Sequence, residues 1–330
     1  MKTFERVSLA LGLLLFGWLL HRVGLSEVWL AVRGTGWGFL AILGLFGINE
    51  TVTALGWRAV LPDGQRVPLS VLFGIQAAGN AINTVSPGVV GGELLRVSLL
   101  RRHVPTVSAA SSVALAAGCQ FAAQVLFVVA GVPWVIGRLV GSPFRIRLLL
   151  LAAVAAGIFL VAAWLARRSD LFERLHSFLG RLLPKTFAPG TAASWRDLDT
   201  SIFGALHHRR GRLALSIAMY FTGWSLGVVE TFLILRLLGS PADWRTCTSI
   251  EILAVILDAL FFFVPGHLGT EEGGRYAIFK LLGLAPSLGF SVAIVKRLRE
   301  LAWTAAGFAI LALSQTREPL AAVGGTTPPA

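Results

Sequence analysis

The chain has 330 residues, 55% of them hydrophobic and only 14% charged, with a formal net charge of +12. A soluble domain carries about 25% charged residues, and no polar segment here is long enough to build a separate soluble catalytic domain. Two cysteines, Cys119 and Cys247, both in or near apolar segments, argue against a disulfide framework, and positive charge without an interleaved basic and aromatic pattern points to membrane topology and anionic lipid headgroups, not nucleic acid.

In chain order, the first apolar run, "VSLALGLLLFGWLL", follows Lys2 and Arg6. It lacks a small-residue cleavage site and more apolar segments follow, so a retained first helix is expected and not a signal peptide. A spanning helix needs roughly 20 mostly apolar residues. Six segments meet that length, at about 7–25, 37–57, 108–131, 147–166, 213–238 and 289–313. Two further stretches, 69–103 and 248–283, are too long for one helix, and a Pro-Gly, at Pro87 and at Pro265, cuts each of them. Backbone amides cannot be left unpaired against lipid, so each break must be wrapped in protein or line a wet cavity. Each stretch is expected to form two half-helices, as a re-entrant hairpin or as a broken spanning segment.

The loop 167–212 holds nine Lys/Arg and four Asp/Glu, which places it in the cytoplasm. The same rule puts the N-terminus, the C-terminus and "LLRRH" at 99–103 inside. Within the loop, 171–183 has apolar residues at helical spacing and reads as an interfacial amphipathic helix; an ordinary solvated loop is the alternative. The tail "GGTTPPA" reads as disordered. The fold class expected is an all-α integral membrane protein, a single polytopic domain over 1–330.

The chain repeats itself at an offset near 180. "GINET" at 47–51 meets "GVVET" at 227–231, Asn80 meets Asp258, "PGVVGGE" at 87–93 meets "PGHLGTE" at 265–271, and "SVAL" at 112–115 meets "SVAI" at 291–294. Repeat one then covers about 37–131 and repeat two about 216–313. If the broken segments are re-entrant, three spans separate them, and an odd number of crossings inverts the second copy. Inverted repeats, broken helices and a site near the midplane are the architecture of many transporters.

The candidate site follows from the breaks and from buried charge. After each Pro-Gly a helix restarts, and backbone N–H groups at Gly91, Gly92 and Glu93, and at Gly269, Thr270 and Glu271, have no partner one turn earlier, which suits an anion. Glu93, Glu271 and Glu272 either complement the helix dipole or serve as proton relays or partners of Arg96 and Arg275. Glu50 and Glu230 stand in mid-segment, where a charge costs about 2.5–3.5 kcal/mol on insertion scales. They are either functional or hydrogen-bonded to a neighbouring helix. "VKRLREL" at 295–301 places Lys296, Arg297, Arg299 and Glu300 in the last span, with Arg297 and Glu300 on one face. The alternative is a polar entry to the final helix. His267 reads as a lining residue, not a metal ligand. No cofactor or metal is expected, and no nucleophile elbow, Walker loop or zinc spacing occurs.

These motifs resemble the flippase-like family that includes the membrane domain of lysylphosphatidylglycerol synthase. The resemblance covers roughly 37–313 and rests on "NAINTVSPGVVGGELLRVSLL" and "FFFVPGHLGTEEGGRYAIFKLLGL". "GWRAVLP", "QVLFVVAG" and "VKRLREL" look like the subgroup associated with hopanoid biosynthesis. The resemblance implies a bacterial inner-membrane protein that moves a lipid between leaflets, with a hopanoid or related lipid as cargo and lipid-biosynthesis enzymes as candidate partners. Where many members carry an arginine and an aspartate after the first motif, this chain has Gly118, Cys119 and Gln120. An asymmetric site with its charge mainly in the second half is therefore expected. The aminoacyl-transfer domain of the synthases has no counterpart among these motifs, so that synthesis is not implied.

A lipid translocator working by alternating access is thus the expected function, and a transporter and not an enzyme. A lipid-modifying membrane enzyme with glutamates as acid and base, or a non-transporting scaffold, are the alternatives. The charges Glu93, Arg96, Glu271, Arg275, Arg297 and Glu300 are expected to converge on one polar cavity.

Overall fold

A computed structural model describes residues 34–86, 90–138, 200–206, 208–241, 243–261, 264 and 269–316. Every regular element among them is helical, so the all-α expectation holds there. In chain order these are α1 (Gly38–Ala59), α2 (Leu69–Val85), α3 (Val90–Leu100), α4 (Thr106–Arg138), α5 (Arg210–Leu237), α6 (Trp244–Leu260), α7 (Thr270–Leu281) and α8 (Pro286–Thr316). A short helical segment at 200–206 precedes α5. The expected spans at 7–25 and 147–166, the amphipathic segment at 171–183, the residues Pro87, Pro265 and His267, and both termini lie outside the described residues.

Helices α1, α4 and α5 are long and apolar enough to cross a membrane. Leu40, Ile48 and Leu55 of α1 and Phe121, Leu126 and Val129 of α4 are exposed, the surface that hydrocarbon would cover. Helix α8 is one helix of 31 residues, but its four mid-helix charges, Lys296, Arg297, Arg299 and Glu300, lower its apolarity. They turn inward: Lys296 and Arg297 are buried.

The two long apolar stretches are indeed broken. Helix α2 ends at Val85, and Ser86 takes an extended ψ of 150°, as the residue before a proline must to avoid the ring. Helix α3 then restarts at Val90 with 11 residues, and α7 after the second break has 12. At 1.5 Å per residue these reach roughly 16–18 Å, about half of the ~30 Å hydrocarbon core. Neither continues its predecessor. Gly92 at the start of α3 packs on Gly79 and Asn83 of α2, and Gly274 of α7 packs on Leu257 of α6. Both stretches are therefore helical hairpins.

Helices α1 and α5 run antiparallel: Gly38 meets Leu237, Gly223 meets Asn49 and Thr53, and Gly56 meets Ser216 and Tyr220. They are the first helices of the two matched segments, and opposite direction is what an inverted pair requires. The later contacts are also exchanged. Helix α2 packs on α8, with Gly74 against Ile310, and α6 packs on α4, with Ile252 against Gly131. At offsets of 178 and 179 these are equivalent positions with the small residue on opposite partners. Small residues at these seams let backbones approach closely, which is where helix association in lipid obtains its packing energy.

Two cores result. One gathers α2, α3, the C-terminal end of α1 and the N-terminal half of α4, closed by Phe308 and Leu311 of α8. The other gathers α6, α7 and much of α5 with the C-terminal half of α4, closed by Val292 and Val295 of α8. Helices α4 and α8 thus brace both halves, and the polar residues of α1, α2, α5 and α8 meet between them.

Candidate functional site

In the first half, Glu50 is buried in the middle of α1. Its carboxylate accepts hydrogen bonds from Gln76 Nε2 at 2.9 Å and from Asn80 Nδ2 at 2.9 and 3.1 Å. Gln76 and Asn80 stand one turn apart on α2 and so share a face. Asn80 Oδ1 in turn accepts from Arg96 Nη2 at 2.6 Å, and Arg96 Nη1 pairs with Glu93 at 2.6 Å. An arginine only donates, so Asn80 must give its oxygen to Arg96 and its amide hydrogens to Glu50. Arg96 crosses α2 over Gly79, where any side chain would collide with it.

The second half holds a denser cluster. Glu251 of α6 accepts from Lys296 at 2.9 Å, from Arg275 at 3.2 Å and from Thr231 Oγ1 at 2.5 Å. Glu230 lies 3.2 Å from Arg299 Nε and 3.7 Å from Lys296. The Glu230–Arg299 contact lacks hydrogen-bond alignment, and Arg299 also lies 4.2 Å over the Phe46 ring. Arg297, wholly buried, reaches Glu271 at 3.1 Å, Glu272 at 3.2 Å and Glu300 at 2.8 Å. Each of these charges would be costly in hydrocarbon, and mutual pairing is what lowers that cost.

Three cavities open between these groups. One of about 150 Å³ is lined by Glu50, Gln76, Asn80, Glu93, Arg96 and Tyr220, among others. A second, of about 380 Å³, shares Glu50, Asn80, Glu93 and Arg96 and reaches Arg299 and Glu300. The third, of about 260 Å³, is lined by Glu230, Glu251, Asp258, Glu271, Arg275, Lys296, Arg299 and Glu300. The single cavity expected from the sequence is therefore a chain of cavities joined at Arg299 and Glu300. Arg297 lines none of them. Its side chain has no exposed surface and is enclosed by three carboxylates, so in this structure it ties α7 to α8.

Two of the helix-start amides also differ from expectation. Gly92 N–H donates to Asn83 Oδ1 at 2.7 Å, and Gly269 N–H donates to Glu272 Oε2 at 2.9 Å. These donors are spent inside the protein. Gly92 is small because the Gly79 carbonyl fills the space of a side chain, and Gly269 is glycine because its φ is +76°. Gly91 is half-buried, 3.2 Å from Ile82 and Ser86 at its Cβ position. Glu272 thus acts in this structure as a capping residue and as a partner of Arg297.

Sequence reasoning passed over Glu251, Gln76 and Tyr220. Glu251 carried the same signal as Glu230, a carboxylate inside an apolar run. It was missed because the repeat places Phe73 opposite it, so symmetry gave no support. Gln76 and Tyr220 are uncharged, and only the packing of α2 and α5 on α1 brings them to Glu50. The expected asymmetry is present. Gln120 of α4 occupies the repeat position of Arg299, at an offset of 179, and lines the first two cavities.

A family model described as the lysylphosphatidylglycerol synthase TM region matches residues 6–307. The chain belongs to this family. Among curated proteins it is similar to a UPF0104 membrane protein of Methanothermobacter thermautotrophicus, 24% identical over 275 residues, which cover 78% of this chain and 77% of the relative. It is also similar to a UPF0104 membrane protein of Pyrococcus horikoshii, 22% identical over 278 residues, 78% of this chain and 81% of the relative. No solved structure matches the chain. Family membership and the apolar spans together make this an integral membrane protein.

Proposed function

We propose that the protein translocates an amphipathic lipid between leaflets by alternating access of two inverted halves. The observation that carries this reading is the chain of cavities. Buried carboxylates, arginines and a lysine from both halves surround space of water and headgroup size, inside helices that otherwise suit hydrocarbon. Structural charge alone does not need such space; paired charges can pack without it.

Each cation of the site already holds a carboxylate: Arg96 has Glu93, Arg299 has Glu230, and Arg275 and Lys296 share Glu251. An anionic headgroup binds by displacing one of these carboxylates, so the arginine exchanges one charged partner for another. Arg96 and Arg299 are the groups best placed for this, because both line the largest of the three cavities described. Arginine offers a planar fork matched to phosphate or carboxylate. The apolar tail stays in lipid throughout. The cargo we put first is a hopanoid or related lipid in a bacterial inner membrane, on the strength of the sequence motifs, with lipid-biosynthesis enzymes as its suppliers.

The test is leaflet exchange in proteoliposomes with a panel of labelled phospholipids, aminoacylated lipids and hopanoids. Faster exchange of at least one lipid than in protein-free vesicles, reduced by Arg96→Ala and Arg299→Ala in folded protein, is the expected result. Exchange at the protein-free rate across the panel defeats the proposal.

A further inference from the structure

Glu50 differs from every other carboxylate described above around these cavities and their backing, Asp258 aside. Glu93, Glu230, Glu251, Glu271, Glu272 and Glu300 each lie within 4 Å of an arginine or lysine nitrogen. Glu50, among the described residues, is held by the amides of Gln76 and Asn80 alone. Amides supply donor hydrogens but no charge. A carboxylate in an apolar interior needs a cation or a proton to offset its desolvation.

Among the described residues, the cations facing Glu50, Arg96 and Arg299, share a cavity with it but make their ion pairs elsewhere. Helix α2 presents Gln76 and Asn80, and α4 presents Gln120, none of which titrates. Helix α3 presents Arg96, committed to Glu93, and α5 presents Tyr220. Helix α8 presents Arg299, committed to Glu230, and Glu300, committed to Arg297. The second half shows the contrast. Glu230, at the matched position, has Arg299 and Lys296 beside it, and the first-half counterpart of Arg299 is Gln120.

We propose that Glu50 binds and releases a proton in each transport cycle, so that lipid movement is coupled to the proton gradient. This rests on the translocator reading and adds its driving force. Glu50 lines both the 150 Å³ and the 380 Å³ cavity, so water in either reaches the same carboxylate. One proton passes from water on one side to a Glu50 oxygen, and leaves to water on the other side after the halves exchange access. No other bond is made or broken. The link to the headgroup runs through Asn80, whose amide donates to Glu50 and whose oxygen accepts from Arg96. When Arg96 turns to a headgroup, Asn80 loses its anchor and its hold on Glu50 loosens, which favours the protonated form.

Two measurements test this separately from the translocator reading. Infrared difference spectra of the purified protein between acidic and alkaline buffer are expected to show a protonated-carboxyl band that is lost in Glu50→Gln. Gln120→Arg, which installs the cation of the second half, is expected to remove the same titrating band and offers a variant that keeps Glu50. A band retained in both variants, or no band in the wild type, overturns the proposal without touching lipid exchange. In proteoliposomes, an imposed pH gradient is expected to bias the direction of lipid movement several-fold in the wild type and not at all in Gln120→Arg. Lipid movement indifferent to the gradient in the wild type overturns the coupling while leaving the translocator standing. Absence of any lipid movement, with the Glu50 band present, defeats the translocator and with it the coupling.

Discussion

Replacing Arg297 by methionine removes one buried cation and leaves three carboxylates facing the gap. Arg297 has no exposed side-chain surface and holds Glu271, Glu272 and Glu300 at 3.1, 3.2 and 2.8 Å. The loss is smaller than three separate ion pairs. Glu271 keeps Arg275 at 3.6 Å, and Glu272 keeps the Gly269 amide at 2.9 Å. Breaking a buried ionic network by removing one partner costs about 3–5 kcal/mol, and that is the expected destabilisation. Arg297→Lys keeps the charge but not the fork, and is expected to cost about 1.5–3 kcal/mol, the worth of a hydrogen bond to a charged group. Adding Glu272→Gln and Glu300→Gln to Arg297→Met removes the stranded charges and is expected to recover part of the loss, a coupling that a mutant cycle isolates. Equilibrium unfolding of the purified protein in detergent measures all of these. If Arg297→Met loses less than about 1 kcal/mol while lipid exchange collapses, Arg297 is a headgroup ligand and the structural role derived from its enclosure is wrong.

Gly92→Ala drives a methyl group into the Gly79 carbonyl and Asn83, and overpacking of this kind is expected to cost about 1–3 kcal/mol in the same unfolding assay; Gly118→Ala, which meets nothing within 4 Å, serves as the control that keeps wild-type stability or gains slightly. Gly269→Ala places a side chain at a φ of +76° and is expected to cost about 1–2 kcal/mol, visible as faster proteolysis near the start of α7. Asp243→Ala removes the N-cap of α6, where the side chain accepts from Thr246 N–H at 2.8 Å; stability is expected to fall by about 0.5–2 kcal/mol with lipid exchange per folded molecule unchanged.

The sequence by itself determined the membrane class and, among the described residues, the positions of the apolar helices and the two breaks. These are local consequences. About 20 apolar residues have no stable place but lipid, and a proline forces its predecessor out of the helix, as Ser86 shows with its ψ of 150°. It also marked Glu50, Glu230, Glu271 and Arg275, because a charge in an apolar run is costly wherever the helix packs. The sequence offered the local pairs Glu93–Arg96, Glu271–Arg275 and Arg297–Glu300; what it left open was which charges meet across helices. Arg297 and Arg299 are two residues apart on α8 yet point to different partners, one enclosed by α7 and one lining two cavities. Helical rotation alone separates them, but only the packing of α7, α5 and α1 around α8 decides which side is sealed. The fate of Gly92 was equally hidden: its small size serves the contact with Gly79, not a ligand. Whether a broken helix turns back or runs on also depends on the tertiary structure, because the energy of an α2–α3 hairpin comes from contacts across the seam, such as Asn83 with Gly92. Finally, the repeat itself sets Gln120 opposite Arg299, but only the packing of α4 and α8 shows that this substitution bears on Glu50 and Glu230, with Gln120 in the cavity of one and Arg299 paired to the other. Charge compensation is a property of distance in three dimensions, and an offset along the chain names the counterpart residues without giving that distance.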